Sequence, residues 1–237
     1  MPTRNSLAQI VPESPAARKI LIRRIIMTFI GIVGTGFAVG LFRFAALGMD
    51  PYQNFMGGLA ATFSNVGFGT LWMIVNGLLI IIALVFKRSL IGFGTLLSLT
   101  LLGFIIDGSH QWLIDNLSPG NLLIRFGYFA LGFLIVCVTA ALYFSANMGV
   151  SNYDAIALIL AERLPRIPFK YWRIITDSAC VIIGGTLFLL AGNSLAELTG
   201  LLSIGTIIVA LCMGPLIQLF RDRFTDPLVR NPEVAQG

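Results

Sequence analysis

Six runs of apolar residues, each close to the length of a membrane helix, divide the chain. A helix needs about 20 mostly apolar residues to cross the hydrocarbon core of a bilayer. The runs cover residues 25–44, 68–86, 90–106, 122–144, 174–191 and 198–220. This pattern predicts an all-α integral membrane protein with six transmembrane helices.

Two further apolar stretches are too short to cross a membrane. Residues 50–64 follow the first run and residues 152–164 follow the fourth. Each stretch holds only about 13 to 15 residues, where about 20 are needed. Each is therefore either a re-entrant helix that dips into the membrane or an amphipathic connector that lies on its surface, and both interpretations stay open.

The composition supports lipid as the solvent for much of the surface. Of the 237 residues, 57% are hydrophobic and 11% are charged, and the mean hydropathy is +0.88. A soluble domain carries about 25% charged residues. The net charge of +5 does not indicate nucleic-acid binding, because the basic residues form no patch interleaved with aromatics. Cys137, Cys180 and Cys212 each lie inside an apolar run and are interpreted as small hydrophobic residues.

The positions of the basic residues predict the orientation. With the N-terminus in the cytoplasm, all of the 16 Lys and Arg residues except Arg43 and Arg125 fall on the cytoplasmic side. Arg43 and Arg125 fall at the outer interface, and the predicted outer loop, Asp107–Asn121, has no basic residue. Cytoplasmic loops carry such an excess in membrane proteins. Residues 1–24 and 221–237 are then cytoplasmic tails. The first apolar run is too long for a cleaved signal peptide, and we expect it to be retained.

An internal repeat relates the two halves, 25–112 and 113–220. The segment from Leu47 to Gln53 aligns with the segment from Met148 to Asp154, and Asn76 aligns with Asp177 at the same offset. Further on, Gly94-Thr95 and Gly103 align with Gly205-Thr206 and Gly214. Each half has three crossings, an odd number, so the second half enters from the opposite side. The sequence therefore predicts two inverted-topology repeats, as in many secondary transporters.

These motifs resemble those of a family. The Gly48-Met49-Asp50-Pro51-Tyr52 element, the polar residue in the next span and the Gly-Thr…Gly element are similar to those of the YczE/YitT group of bacterial inner-membrane proteins. The second repeat departs from the pattern by having Asn152 where the first has Pro51. The resemblance implies a location in the bacterial inner membrane and a role as a transporter or a membrane accessory protein.

The short stretches carry the first candidate site. Asp50 before Pro51 is a plausible N-cap, and Ser151 or Asn152 could cap the second short helix. Helix N-termini expose unpaired N–H groups and a partial positive charge. If these ends lie within the membrane, each can bind an anionic or polar group. Otherwise they are simply well-capped connectors.

Asp177 is the most informative single residue, because it lies inside an apolar run. An intramembrane carboxylate is costly and by default functional. Arg173 and Asp154 are its candidate partners, since a pair of carboxylates could share a proton or hold a cation. Desolvation favours the neutral acid, whereas Arg173 favours the charged form. The alternative is a buried Arg–Asp pair that only anchors the helix. Asn76 is the uncharged counterpart of Asp177.

The remaining candidates belong to the starts of the short helices. Tyr52 and Tyr153 occupy matching positions, with Gln53 and Asp154 next to them. Their hydroxyls could line a pathway, or their rings could lie at the membrane interface. The sequence contains no evident nucleophile–base set, P-loop or metal-ligand cluster, so we expect no enzyme activity, no cofactor and no metal site.

We therefore expect a secondary transporter or channel for a small polar or anionic solute, with alternating access between two inverted halves. A coupling proton or cation and a homodimer are both compatible with the sequence. The alternative is a non-transporting accessory protein that docks or regulates a partner enzyme. No nucleic acid is expected among the partners.

Overall fold

The computed structural model describes residues 15–229, and within them it is all-helical. The predicted tails lie partly outside this range, in residues 1–14 and 230–237. The α-helices are α1 (Pro15–Ala45), α2 (Pro51–Thr62), α3 (Phe68–Phe86), α4 (Phe93–Asn116), α5 (Leu122–Ala146), α6 (Asn152–Arg163), α7 (Phe169–Leu190), α8 (Leu195–Leu201), α9 (Ile204–Phe220) and α10 (Asp226–Val229). A 3-10 turn at Arg88–Leu90 precedes α4, and a π-helical turn at Arg221–Thr225 joins α9 to α10.

Five helices within the described residues are long and apolar enough to cross a membrane: α1, α4, α5, α7 and α9 with its extension to Val229. Helix α3 contributes a shorter apolar segment, Thr70–Phe86. Large apolar side chains on these helices face outward, among them Val85, Phe104 and Leu190, which are 71%, 79% and 77% exposed. Water would not tolerate so many of them, whereas lipid does. The chain is consistent with a multi-pass membrane protein.

Several helices extend beyond the predicted runs. Helix α1 begins at Pro15, ten residues before the apolar run that predicted it, and α4 continues to Asn116 through a segment predicted to be a loop. The polar end of α4 is held by the Arg43–Asp107 ion pair and by Gln111, which donates to Asp115 one turn later. Hydropathy locates the part of a helix in lipid but not its polar extension into the interface.

The predicted sixth span is divided. A short helix, α8, precedes α9, with Ser194 and Glu197 forming a capping box at its start. The hydrogen bonds from Ser194 hold the pKa of Glu197 below its ordinary value. The apolar crossing itself begins at Ile204, because Leu202 and Ser203 leave the helical conformation between the two helices.

Helices α1 and α5 pack tightly along the centre of the molecule. Gly31 and Gly34 lie so close to α5 that an added Cβ would stand 2.7 Å from Tyr143 Cβ and 2.3 Å from Thr139 Cγ2. The Thr35 and Thr139 hydroxyls are hydrogen-bonded at 3.1 Å. Small residues and hydroxyl pairs are the usual means by which helices associate in lipid. The glycines of the first apolar run are therefore packing residues.

The short helices α2 and α6 each contain 12 residues. At 1.5 Å per residue each spans about 18 Å, well short of the ~30 Å hydrocarbon core. The Asp50 side chain accepts hydrogen bonds from the backbone N–H groups of Tyr52 and Gln53. Ser151 caps α6 by accepting from the Asp154 N–H. The cap predicted at Asp50 is confirmed, and of the two candidates for the second cap, Ser151 and Asn152, the structure has Ser151.

The loops that lead into α2 and α6 bind distant helices. The N–H of Gly205, at the start of α9, donates to the Leu47 carbonyl at 3.0 Å. The N–H of Gly94, at the start of α4, donates to the Met148 carbonyl at 2.7 Å. Gly48 and Gly149, which follow these carbonyls, have φ values of +134° and +102°. Only glycine adopts such backbone conformations without strain.

Candidate functional site

A cavity of about 420 Å³ lies where the starts of α2 and α6 meet the long helices. Its size is within the range of small-molecule sites. Eight of the nine sequence-predicted residues line it: Asp50, Tyr52, Gln53, Asn76, Asn152, Tyr153, Asp154 and Arg173. The ninth, Asp177, lies behind the wall.

The rings of Tyr52 and Tyr153 stack at the junction of the two short helices. Their centroids are 5.0 Å apart with an interplanar angle of 21°, and the rings of Trp72 and Tyr52 pack edge to face with centroids 5.4 Å apart. The sequence predicted matching positions for the two tyrosines but not their contact. Because each ring comes from a different short helix, the stack ties the two helices together inside the protein.

Arg173 joins α7 to the start of α6. Its Nε donates to Asp177 Oδ2 at 3.0 Å, and its Nη1 donates to Asp154 Oδ1 in a very close ion pair. The guanidinium carbon also lies 4.8 Å from the centre of the Tyr153 ring, a cation–π contact. The Arg173 side chain is only 5% exposed. Arg173 therefore pairs with both carboxylates of the group considered from the sequence, Asp154 and Asp177.

Asp177 is fully buried and does not face the cavity. Its Oδ1 accepts a hydrogen bond from the Tyr153 hydroxyl, and its Oδ2 accepts from Arg173. It touches the cavity only through these two neighbours, both of which line it. Asp177 is thus placed to position Arg173 and Tyr153 rather than to contact a bound molecule directly.

A second hydrogen-bonded contact, between Asn76 and Asn152, joins the two halves. Asn152 Nδ2 donates to Asn76 Oδ1 at 3.3 Å, and Asn76 Nδ2 donates to the Trp72 carbonyl at 2.9 Å. Asn76 and Asn152 are 8% and 3% exposed. The contact joins α3 to the start of α6.

The cavity reaches the surface beside an ion pair that was not predicted from the sequence. Arg43 and Asp107 form an ion pair at 2.7 Å, and the Asp107 side chain is 75% exposed. Arg43 also donates to Gln53 Oε1 at 3.3 Å. Arg43 was assigned only to the outer interface and Asp107 to a loop. The one available signal was an isolated charge at the end of an apolar run. Arg43 lies near the end of the first run, and Asp107 directly follows the third.

Tyr143 and Ser98 also line the cavity and were not predicted. Each lies in an apolar run, and isolated hydroxyl side chains are common in such runs, so the sequence offered no signal for these two residues. Within residues 15–229 no group of three or more His, Cys, Asp or Glu side chains is arranged to hold a metal ion. The cavity instead offers hydrogen-bonding groups, charges and apolar walls, which suit an organic or hydrated solute.

These features are consistent with a multi-pass helical membrane protein that contains a partly polar cavity. Residues 22–222 match the model of a family of unknown function, DUF6198, and the chain belongs to that family. No curated protein and no solved structure matches the chain.

Proposed function

We propose that this protein is a secondary transporter or channel that moves a small polar solute across the bacterial inner membrane. The observation that carries the proposal is the cavity between the two short helices, which is lined by matching residues of both halves. Transporters built from repeats place their substrate sites at the repeat interface, near the starts of broken helices. The earlier resemblance to the YczE/YitT group is in keeping with this assignment.

The proposed inverted repeat, 25–112 and 113–220, is supported by equivalent contacts in the two halves. Leu47 aligns with Met148, and each carbonyl accepts from the first turn of a helix in the other half. Thr206 accepts from the Met49 N–H, and the aligned Thr95 donates to the Val150 carbonyl. Such exchanged contacts fit two halves related by a twofold axis.

The helix packing fits the same symmetry. Helix α2 packs against α7, and its counterpart α6 packs against α3, the counterpart of α7. We therefore propose that α3 is the sixth membrane span and that α2 and α6 are re-entrant. Because their capped N-termini line an internal cavity, the re-entrant interpretation is favoured over that of a surface connector.

Cysteine labelling tests the proposed topology. Single cysteines at Ser89 and Arg223 are expected to react only from the cytoplasmic side, and a cysteine at Ser118 only from outside. All three positions are exposed, so a negative result at one face would not reflect burial. External labelling at Ser89 would mean that a short helix crosses the membrane, and the inverted repeat would be wrong.

Reconstitution tests the transport function. Proteoliposomes that contain the purified protein are expected to take up at least one small polar solute from a screen, and uptake should respond to an imposed proton gradient. We expect Asp177→Asn to abolish gradient-driven uptake while retaining solute exchange, because the change removes a buried charge and preserves the side-chain shape. The matched control is Asp115→Asn, which alters an exposed carboxylate away from the cavity.

Two outcomes would contradict this assignment. Normal gradient-dependent uptake by Asp177→Asn would remove this residue from coupling. If no solute in the screen crosses the bilayer, and a tryptophan at Ala140 in the cavity wall has no effect on the function of the protein in cells, the accessory role would be favoured instead.

A further inference from the structure

The inner end of the cavity, where the starts of α2 and α6 meet, carries charges that do not balance. Asp50, Asp154 and Asp177 surround a single cation, Arg173. The other charged pair, Arg43 with Asp107, is neutral as a pair and lies at the surface. The N-termini of α2 and α6 each supply about half a positive charge beside Asp50 and Asp154. With all three carboxylates ionised, the inner end therefore retains about one negative charge within a poorly solvated space.

Three buried polar atoms of the cavity wall have no hydrogen-bond partner among the described residues: the hydroxyls of Tyr52 and Tyr143 and the Asn152 Oδ1. Of these, the Tyr52 hydroxyl and the Asn152 Oδ1 belong to the starts of the short helices, and their residues are 9% and 3% exposed. Buried polar groups without a partner are costly, so these two atoms mark where a bound molecule would make hydrogen bonds.

The neighbouring contacts fix the orientation of the Asn152 amide. Asn76 donates its Nδ2 to the Trp72 carbonyl, so it presents Oδ1 to Asn152. Asn152 must then donate its own Nδ2 to Asn76. Its Oδ1 is left as an acceptor. Asp50 adds another acceptor, because both of its helix-capping bonds go to Oδ1 and Oδ2 accepts none from the described residues. The inner end is rich in acceptors.

Apolar side chains form much of the remaining cavity wall. Ile32, Val39, Leu102, Ile106 and Val136 lie on its sides, contributed by α1, α4 and α5. A molecule that places a donor-rich head among the acceptors would therefore lay an apolar body against these side chains. A strongly hydrated inorganic ion would leave this part of the cavity without complementary contacts.

We infer that the cavity binds a small amphiphilic monocation of the ammonium class, with its head among Asp50, Tyr52 and Asn152. The inference deepens the proposed transport function and rests on it for its physiological meaning. The N–H groups of an ammonium supply the donors that Asn152 and Asp50 lack, and its charge offsets the unbalanced carboxylate. The helix N-termini alone would suggest an anion, but the two carboxylates that already occupy them reverse this preference.

A charge series tests the inference on the purified full-length protein in lipid nanodiscs. Isothermal titration would compare 2-phenylethylammonium, 2-phenylethanol and 3-phenylpropionate, which share an aromatic body and differ in head-group charge. Empty nanodiscs supply the correction for partition into lipid. The ammonium is expected to bind at least about tenfold more tightly than either of the others, as hydrogen bonds to charged groups commonly contribute that much. Equal or weaker ammonium binding, or no binding at all, overturns the inference.

Two variants locate the head group. Asp50→Asn keeps a good helix cap and removes the charge, so it should weaken ammonium binding about tenfold and leave the alcohol unaffected. Tyr52→Phe removes only the hydroxyl and should weaken ammonium binding by a smaller factor. Asp115→Asn is the matched control and should bind normally. Unchanged ammonium affinity in both cavity variants would overturn the assignment.

Uptake measurements separate this inference from the proposed function. If the ammonium binds the cavity but does not cross the bilayer in proteoliposomes, transport is wrong and the binding site stands. If 3-phenylpropionate crosses the bilayer and 2-phenylethylammonium does not compete with its uptake, transport stands and the cation site is wrong.

Discussion

Replacing Arg173 with alanine is expected to lower the free energy of unfolding by about 3–5 kcal/mol, because it leaves buried carboxylates without a counter-charge. Asp177 is fully buried, and the Asp154 side chain is only 18% exposed. Both lose their ion pair with Arg173. We expect a lower midpoint of thermal unfolding in detergent and reduced accumulation in the membrane. Removing a buried partner is far more damaging than removing an exposed one.

Two further variants test this explanation. Arg223→Ala removes an exposed arginine and should leave the unfolding midpoint nearly unchanged. The triple variant Arg173→Ala with Asp154→Asn and Asp177→Asn should recover much of the lost stability, since no uncompensated charge remains. If the triple variant is no more stable than Arg173→Ala alone, packing of the arginine rather than charge explains the loss.

Replacing Gly58 with alanine is expected to separate α2 from α7 and to destabilise the protein by about 1–3 kcal/mol, the usual cost of overpacking. A Cβ at Gly58 would lie 2.0 Å from the backbone carbonyl oxygen of Gly184. The obstacle is backbone on both sides, so neither helix can relieve the clash by rotating a side chain. The unfolding midpoint in detergent measures the effect, and solute uptake should fall with it because α2 carries Asp50 and Tyr52.

Gly77→Ala is the matched control. Gly77 also lies inside an apolar helix, but an added Cβ there meets no atom within 4 Å. We expect it to be neutral or slightly stabilising, since alanine is the better helix former by about 1 kcal/mol in water. Similar destabilisation by both changes would show that glycine flexibility, rather than close approach of the helices, is what matters at Gly58.

The sequence determined the helices themselves to a large extent. The apolar run 68–86 became α3 with the same bounds, and residues 152–163 became α6. Lipid makes this possible, because a segment in the membrane must be apolar and must satisfy its backbone bonds internally. The helix cap at Asp50 was equally predictable, and the second cap was narrowed to Ser151 or Asn152, since capping depends on residues two or three positions away.

Polar extensions of helices were not determined by hydropathy. Helix α4 runs through Asp107 and Asp115 to Asn116, where a loop was expected. A helix that leaves the lipid can exchange apolar side chains for polar ones without ending. No glycine or proline stands between the apolar run and Leu117 except Gly108, and one glycine weakens a helix without stopping it.

Only the tertiary structure decided how the site residues meet. The sequence named Arg173 and Asp154 as candidate partners of Asp177. It could not show that Arg173 bonds to both carboxylates, or that Asp177 lies behind the cavity wall. It gave no sign that Tyr52 stacks on Tyr153 or that Arg43 pairs with Asp107. Local rules fix what happens within a few residues of the chain. Which side chains share a cavity depends on how helices from both halves pack, and that is set by shape and close approach at positions such as Gly58 and Gly184.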